Sequence, residues 1–188
     1  MRHICDKSNL KLVILLKKNL VLTGMMGVGK TTVGKRLAEK LDSRFIDIDK
    51  LIETKENKTI TEIFSNKGEN YFRKIEKEIT IDTLHKKNVV IALGGGAFIN
   101  TNIRREIKNT SVSVWLDLSL KTLISRISNT KKRPLLKEGN LKETVNRIYS
   151  ERKKIYNQSN FKIKCDLLKV DQIVNRIVKL YENSRNKI

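Results

Sequence analysis

The fold is decided by residues 20–31, Leu-Val-Leu-Thr-Gly-Met-Met-Gly-Val-Gly-Lys-Thr, where an apolar run leads into Gly24-x-x-x-x-Gly29-Lys30-Thr31. Glycines at this spacing let successive backbone N–H groups turn inward around a phosphate, and the following helix presents the positive end of its dipole to the same anion. The pattern therefore predicts a strand, a phosphate-binding loop and a helix, and it makes a nucleotide the first ligand to consider.

The residues around this loop favour a real phosphate site over a chance glycine-rich turn. Apolar residues recur at helical spacing after the loop, and no proline lies nearby. We expect Lys30 to reach the outer phosphates of the nucleotide and Thr31 to hold Mg²⁺. The residues predicted to contact the nucleotide in this segment are Gly27, Val28, Gly29, Lys30, Thr31 and Thr32.

Length and composition indicate one domain without a membrane span. The 188 residues fit a single domain, and the apolar stretch Leu10 to Leu16 is too short to cross a bilayer and lacks a small-residue cleavage site. The two cysteines, Cys5 and Cys165, provide neither metal-ligand spacing nor a disulfide framework. We therefore expect a cytoplasmic protein that does not bind membranes.

The net charge of +20 leaves two interpretations open. A nucleic-acid partner is one of them. The lysines are scattered along the whole chain, however, and aromatic residues are only 5% of it. We favour a solvated basic surface that draws anions such as ATP toward their site, and we expect no nucleic-acid partner.

Strands and helices alternate along the chain, which predicts an α/β fold with a parallel sheet covered by helices. Further strands are predicted at 44–47, 88–93, 111–116 and 161–165. Helices are predicted at 101–108, 119–127, 141–157 and 171–182, with a longer helical region at 50–84. A capping box at Thr59-x-x-Glu62 divides that region. We interpret residues 1–18 as an extension and 19–184 as a single domain.

Ligands of such sheets gather beyond the carboxyl ends of the strands, so the residues that follow each strand are the candidates. Asp47 and Asp49 follow the second strand, and Gly94 to Gly96 follow the third. Two carboxylates at positions i and i+2 leaving a strand can serve two ligands, one facing metal-bound water and one facing an acceptor hydroxyl. The alternative is that both only cap the next helix.

Taken in order, these motifs resemble those of the shikimate kinases, small P-loop kinases of aromatic amino-acid biosynthesis. The resemblance covers Asn19 to about Tyr156. It implies a three-layer P-loop kinase fold, with a central parallel sheet flanked by helices and with lid and substrate-binding insertions. The motifs are the phosphate-binding loop, Phe45-Ile-Asp47-Ile-Asp49-Lys-Leu-Ile-Glu53, Phe72-Arg73-Lys-Ile-Glu76, Gly94-Gly95-Gly96-Ala97, Arg133-Pro134-Leu135-Leu136 and Glu151-Arg152 followed by Tyr156.

The resemblance implies ATP-dependent phosphorylation of the 3-hydroxyl of shikimate, with Mg²⁺ as cofactor. Asp47 becomes the carboxylate on the Mg²⁺ side, and Asp49 the residue that binds the substrate hydroxyls and acts as base. Arg73 and Arg152 hold the shikimate carboxylate, a task that suits the guanidinium fork. The glycines Gly94, Gly95 and Gly96 let the backbone approach the substrate closely. The substrate-binding region spans about residues 48–76.

A lid at about residues 128–140 is predicted from its lysine-rich sequence, which has few apolar anchors. By resemblance, Arg133 moves onto the phosphates when the lid closes and completes a catalytic set with Lys30 and Asp49. Arg126 stacks near the adenine. The loop after the last strand, Asp166-Leu-Leu-Lys169-Val-Asp171, lacks the arginine and proline that are usual in the family, so we expect Lys169 to replace that arginine.

Two other functions remain open from the sequence. One is a different small-molecule P-loop kinase, acting on gluconate or a nucleoside monophosphate. The other is an ATP-binding regulatory or nucleic-acid-associated protein without kinase chemistry, for which the net charge is the support. The motif set favours a kinase whose partners are ATP and shikimate, and we expect it to be a monomer.

Overall fold

The computed structural model describes residues 18–128 and 140–185, which form one parallel sheet with flanking helices. The strands are β1 (Asn19–Thr23), β2 (Arg44–Asp47), β3 (Val89–Ala92), β4 (Ser111–Asp117) and β5 (Phe161–Lys164). The helices are α1 (Lys30–Lys40), α2 (Ile48–Glu56), α3 (Ile60–Leu84), α4 (Thr101–Thr110), α5 (Leu120–Ser128), α6 (Leu141–Tyr156) and α7 (Val170–Arg185), and a 3₁₀ turn covers Ala97–Ile99.

The sheet has the strand order β2-β3-β1-β4-β5, and every neighbouring pair is parallel. Strands β1, β3 and β4 are buried at every position, whereas the edge strands β2 and β5 are partly exposed. Continuous apolar strands need cover on both faces, which the helices provide. The predicted α/β class is therefore confirmed. Within the described residues, no helix is both long and apolar enough to cross a membrane.

The helical region predicted at 50–84 consists of α2 and α3, and α3 is interrupted by a kink at Gly68, whose φ of 78° and ψ of 171° are not helical. Asn57 ends α2 in the left-handed conformation, with a φ of 49°. The capping box that starts α3 is present, because Glu62 N donates to Thr59 Oγ1 at 3.3 Å and Thr59 N donates to Glu62 Oε2 at 2.7 Å. The helical region was predicted to start at residue 50, which is too late, because α2 begins at Ile48, directly after Asp47.

The first glycine of the phosphate-binding loop lies against the sheet. Gly24 has a φ of +130°, and a Cβ added to it would lie 2.5 Å from the carbonyl oxygen of Leu116. Gly29, the residue before α1, has a φ of +98° but no heavy atom within 4 Å of such a Cβ. Both positions need glycine for their backbone conformation, and Gly24 also needs it for space.

We expect Gly24→Ala to lower the free energy of unfolding by about 2–4 kcal/mol, because left-handed strain adds to a clash with backbone that cannot move away. Gly29→Ala should lower the free energy of unfolding by only about 1–2 kcal/mol, because it adds the left-handed strain without the clash. Urea unfolding of both variants measures the difference. An equal loss in the two would show that contact with Leu116 is not what requires glycine at position 24.

Candidate active site

The candidate site lies where β2, β3 and β1 end side by side. This strand order brings together the two aspartates after β2, the three glycines after β3 and the phosphate-binding loop after β1. The carboxyl edge of the sheet was the predicted place for a ligand. Residues separated by up to about seventy positions in the chain therefore share one edge.

The phosphate-binding loop has the backbone form that its glycines predict. Gly24, Gly27 and Gly29 all have positive φ angles. Gly29 is the N-cap of α1 and, as a glycine, has no side chain with which to cap the first turn of that helix. The N–H groups at the start of a helix are a natural anion site, so an uncapped helix start behind the loop suits a phosphate.

Lys30 lies over the loop. Its Nζ donates to the carbonyl oxygens of Gly24 at 2.8 Å and Met25 at 3.0 Å. The ammonium group is thus held at the loop by backbone acceptors, where it adds a positive charge to the helix start.

Thr31 and Asp47 meet at the start of α1. The Thr31 hydroxyl donates to Asp47 Oδ2 at 2.6 Å, while Asp47 Oδ1 accepts from Lys50 N at 3.3 Å and caps α2. Asp47 therefore caps a helix and also faces the loop. A hydroxyl beside a carboxylate fits Mg²⁺, because this ion takes few protein ligands and fills the rest of its coordination shell with phosphate oxygens and water. The described residues contain no cluster of three acidic, histidine or cysteine side chains that could hold a metal by itself.

Asp49 lies at the start of α2, next to the glycine turn. Both aspartates were predicted to follow the second strand, and β2 ends at Asp47 while Asp49 lies in the first turn of α2. Its carboxylate lies beside Gly94: a Cβ at Gly94 would be 2.5 Å from both Asp49 Oδ1 and Glu76 Oε1. The turn from strand to helix is what points the two aspartates apart.

Arg73 is held by two glutamates on its own helix. Its Nη1 donates to Glu76 Oε2 at 2.7 Å, and its Nη2 donates to Glu69 Oε1 at 3.0 Å. Glu76 is buried, with 3% of its side chain exposed. Burial raises the pKa of Glu76, and Arg73 opposes that rise. For Arg73, burial is the largest single influence and acts to lower the pKa, but the charges and hydrogen bonds of Glu76 and Glu69 together outweigh it, and the pKa is raised.

The glycine turn lies under both arginines. Arg152 Nη1 donates to the carbonyl oxygen of Gly95 at 3.0 Å, and a Cβ at Gly96 would lie 2.5 Å from Arg73 Nη1. The sequence predicted that these glycines give room to a ligand. In the structure, Gly94 and Gly96 first give room to side chains of the site itself, so any Cβ here would displace a carboxylate or a guanidinium group.

A cavity of about 430 Å³ lies between α3, the glycine turn and α6. Arg73 and Arg152 both line it, together with Glu69, Glu76 and Glu151. Its size is within the range of small-molecule sites. The lining carries two arginines against three glutamates, so what favours an anionic ligand here is the guanidinium fork, whose bidentate geometry suits a carboxylate.

Tyr156 and Glu69 belong to the site although the sequence assigned them no role. The Tyr156 hydroxyl donates to the same Gly95 carbonyl that Arg152 contacts. The residue is fully buried, its ring lies 6.5 Å from that of Phe98, and burial raises its pKa. The i, i+4 spacing of Glu69 and Arg73 was a readable signal for their ion pair. The contact of Tyr156 with Gly95, at a separation of 61 residues, had no local signal.

Asp117, the residue that ends β4, serves the fold. Tyr149 donates to its Oδ1 at 3.0 Å, and Lys162 pairs with its Oδ2 at 3.1 Å. Burial is the main cause that raises the pKa of Tyr149 to about 12, and the hydrogen bond to the negatively charged Asp117 acts in the same direction. This carboxylate therefore ties α6 and β5 to the end of β4.

The residues predicted on the adenine side are less closely grouped. Arg126 lies exposed on α5, and its neighbour Ile127 contacts the loop, since a Cβ at Gly27 would be 3.0 Å from Ile127 Cγ1. Lys169 is exposed directly before α7. Arg133, and the predicted lid apart from its end residues 128 and 140, lie outside the described residues.

Comparison with known proteins identifies the relatives of this chain. A family model described as "Shikimate kinase" matches residues 26–182. Shikimate kinases from Sulfurihydrogenibium sp. and Persephonella marina are each 44% identical over 161 residues, which cover 86% of this chain and 96% and 97% of those proteins.

Among solved structures, shikimate kinase from Acinetobacter baumannii in complex with shikimate matches with a TM-score of 0.87 and 31% identity, covering 93% of this chain and 97% of that one. A gluconokinase from Sinorhizobium meliloti matches with a TM-score of 0.56 and 15% identity, covering 91% of this chain and 97% of that one. The gluconokinase shares the fold alone.

Proposed function

The chain belongs to the shikimate kinase family, and on that premise we propose that it transfers the γ-phosphoryl group of ATP to the 3-hydroxyl of shikimate, giving shikimate 3-phosphate and ADP. The observation that carries this proposal is the contact between the two halves of the site. A Cβ added to Gly95 would lie 3.3 Å from Met26 N in the phosphate-binding loop and 3.8 Å from Arg152 Nη1. An acid held by Arg152 therefore sits beside the phosphates.

Phosphoryl transfer depends on positioning and on neutralising charge more than on covalent chemistry by the protein. We propose that Lys30 and the N–H groups of the loop hold the phosphates of ATP, and that Arg73 and Arg152 fix the acid by its carboxylate. Asp49, next to Gly94, then orients the acceptor hydroxyl and takes its proton. Arg133 is proposed to reach the phosphates from the lid.

Thr31 and Asp47 are the residues that would hold Mg²⁺ with the nucleotide, where the ion neutralises phosphate charge. The hydrogen bond between these two side chains supports this assignment. We further propose that the enzyme is a cytoplasmic monomer that binds neither nucleic acid nor membranes, and that Arg126 and Lys169 contact the adenine.

We expect loss of either substrate arginine to weaken binding of the acid far more than binding of ATP. A charge-assisted hydrogen bond is worth about 1.5–3 kcal/mol, so Arg152→Ala should raise the KM for shikimate about ten- to hundred-fold. At position 73, lysine is the better replacement, because it keeps a positive charge near the buried Glu76 while losing the fork. Steady-state kinetics for both substrates measure the effect, and a rise confined to the KM for ATP would contradict the assignment.

A substrate panel tests the proposed function against the two alternatives. ADP release is followed with shikimate, gluconate and nucleoside monophosphates at moderate salt, beside a nucleic-acid shift assay. We expect sustained turnover with shikimate alone. Turnover with gluconate or a nucleotide in its place would identify a different kinase, and nucleic-acid binding without turnover would identify a regulatory protein.

A further inference from the structure

The donors of Arg73 that would grip a substrate carboxylate are already bonded inside the protein. Arg73 Nε donates to Glu69 Oε1 at 3.1 Å, and Nη2 donates to the same oxygen at 3.0 Å. Nε and one Nη form an edge of the guanidinium that commonly takes a carboxylate. The remaining nitrogen, Nη1, donates to Glu76 Oε2 at 2.7 Å.

The two glutamates differ in how freely they can leave. Glu76 has 3% of its side chain exposed and lies against Gly94, so its carboxylate cannot move into water without opening the site. Glu69 has 52% of its side chain exposed and lines the cavity. A rotation about its side-chain bonds takes its carboxylate into solvent. Glu69 is thus the replaceable partner of Arg73.

We propose that Glu69 is a built-in competitor for the substrate carboxylate, holding the Nε and Nη2 edge of Arg73 in the free enzyme and giving it up when shikimate binds. This inference rests on the proposed function, in which Arg73 receives that carboxylate. It assigns two effects to Glu69. The arginine stays extended toward the cavity before the substrate arrives. A neutral polyol cannot bind in place of the substrate, because it offers no carboxylate to exchange for that of Glu69.

The competition carries a measurable cost in affinity. An exposed i, i+4 ion pair is weak. In every molecule in which the pair between Glu69 and Arg73 is formed, however, that pair must open before the acid can bind to Arg73. Removing the charge of Glu69 therefore strengthens binding of the acid. The gain is limited by the small stability of the pair and falls as salt weakens it.

Glu151 provides a matched control in the same cavity. It forms an i, i+4 ion pair with Arg147 at 3.1 Å, and 57% of its side chain is exposed. Glu151 lines the cavity as Glu69 does, but its partner is not an arginine proposed to bind substrate. Glu151→Gln thus removes an equal charge from the same surroundings without freeing Arg73.

The experiment compares Glu69→Gln and Glu151→Gln with the unaltered enzyme by kinetics and by direct calorimetric titration with shikimate. We expect Glu69→Gln to lower the KM and Kd for shikimate about two- to five-fold at low salt, with little change in kcat or in the KM for ATP. The gain should shrink at high salt. Glu151→Gln should leave the Kd for shikimate within about 1.5-fold, and thermal melts verify that both variants fold.

Three results would overturn the inference while the proposed function stands. A higher KM in Glu69→Gln would mean that Glu69 only supports Arg73, an unchanged Kd would mean that it does not compete, and an equal gain in both variants would mean a general charge effect. Failure of the unaltered, folded enzyme to bind or phosphorylate shikimate would instead contradict the proposed function, and the inference with it.

Discussion

Replacing Lys30 by alanine is expected to reduce kcat/KM by about a hundred- to a thousand-fold, the usual cost of losing one group that stabilises charge in the transition state. The Lys30 ammonium is held over the loop by the carbonyl oxygens of Gly24 and Met25. By our assignment, the substitution removes a positive charge that faces the outer phosphates of ATP, where the phosphoryl group is transferred. It should affect turnover with every acceptor alike.

The fold should survive this substitution, because Lys30 is only partly buried and contributes no side chain to the hydrophobic core. Lys35→Ala, at an exposed position on the same helix α1, is the matched control for the loss of one lysine. Coupled ADP release and a thermal melt are measured for both variants. Near-normal turnover in Lys30→Ala would contradict the assignment of the loop as the phosphate site.

Asp49→Asn is expected to bind both substrates but to lower kcat about 10²- to 10⁴-fold, the usual range for loss of a general base. The amide keeps the shape of the side chain beside Gly94 and loses the charge that, by our proposal, orients and deprotonates the acceptor hydroxyl. A loose transition state depends less on the base, which would place the effect at the low end of this range. Single-turnover kinetics with saturating substrates measure it.

Asp47→Asn is the comparison that separates the roles of the two aspartates. Asp47 accepts the hydrogen bond of Thr31, and we assign both residues to Mg²⁺. Its defect should therefore recover in part as Mg²⁺ is raised, whereas the Asp49 defect should not. Recovery of Asp49→Asn and not of Asp47→Asn would reverse the two assignments.

Local patterns in the sequence predicted the local structure well. Glycine spacing gave the loop with its positive φ angles, and the pair Thr59 and Glu62 gave the capping box that begins α3. Both features depend on residues within a few positions of one another, where backbone sterics and short hydrogen bonds decide the outcome. The parallel sheet followed from apolar strands that had to be covered on both faces.

The placement of side chains within the site could not be predicted in the same way. The sequence placed Asp49 two residues past Asp47 at the end of the second strand but did not place it beside Gly94: the Asp47 cap starts α2 at Ile48, and this brings the Asp49 carboxylate to the glycine turn. Tyr156 meets Gly95 only because α6 packs beside the turn after β3. Such contacts depend on how distant elements pack, which spacing along the chain does not encode.

The position of the transferred phosphate tests the central claim most directly. The enzyme is incubated with ATP, Mg²⁺ and shikimate, and the product is examined by a proton–phosphorus NMR correlation spectrum. We predict a new phosphoester coupled to the proton on carbon 3 of shikimate, formed together with an equal amount of ADP and absent in Lys30→Ala. A phosphoester on another hydroxyl, or ADP released without any phosphoester, would contradict the account.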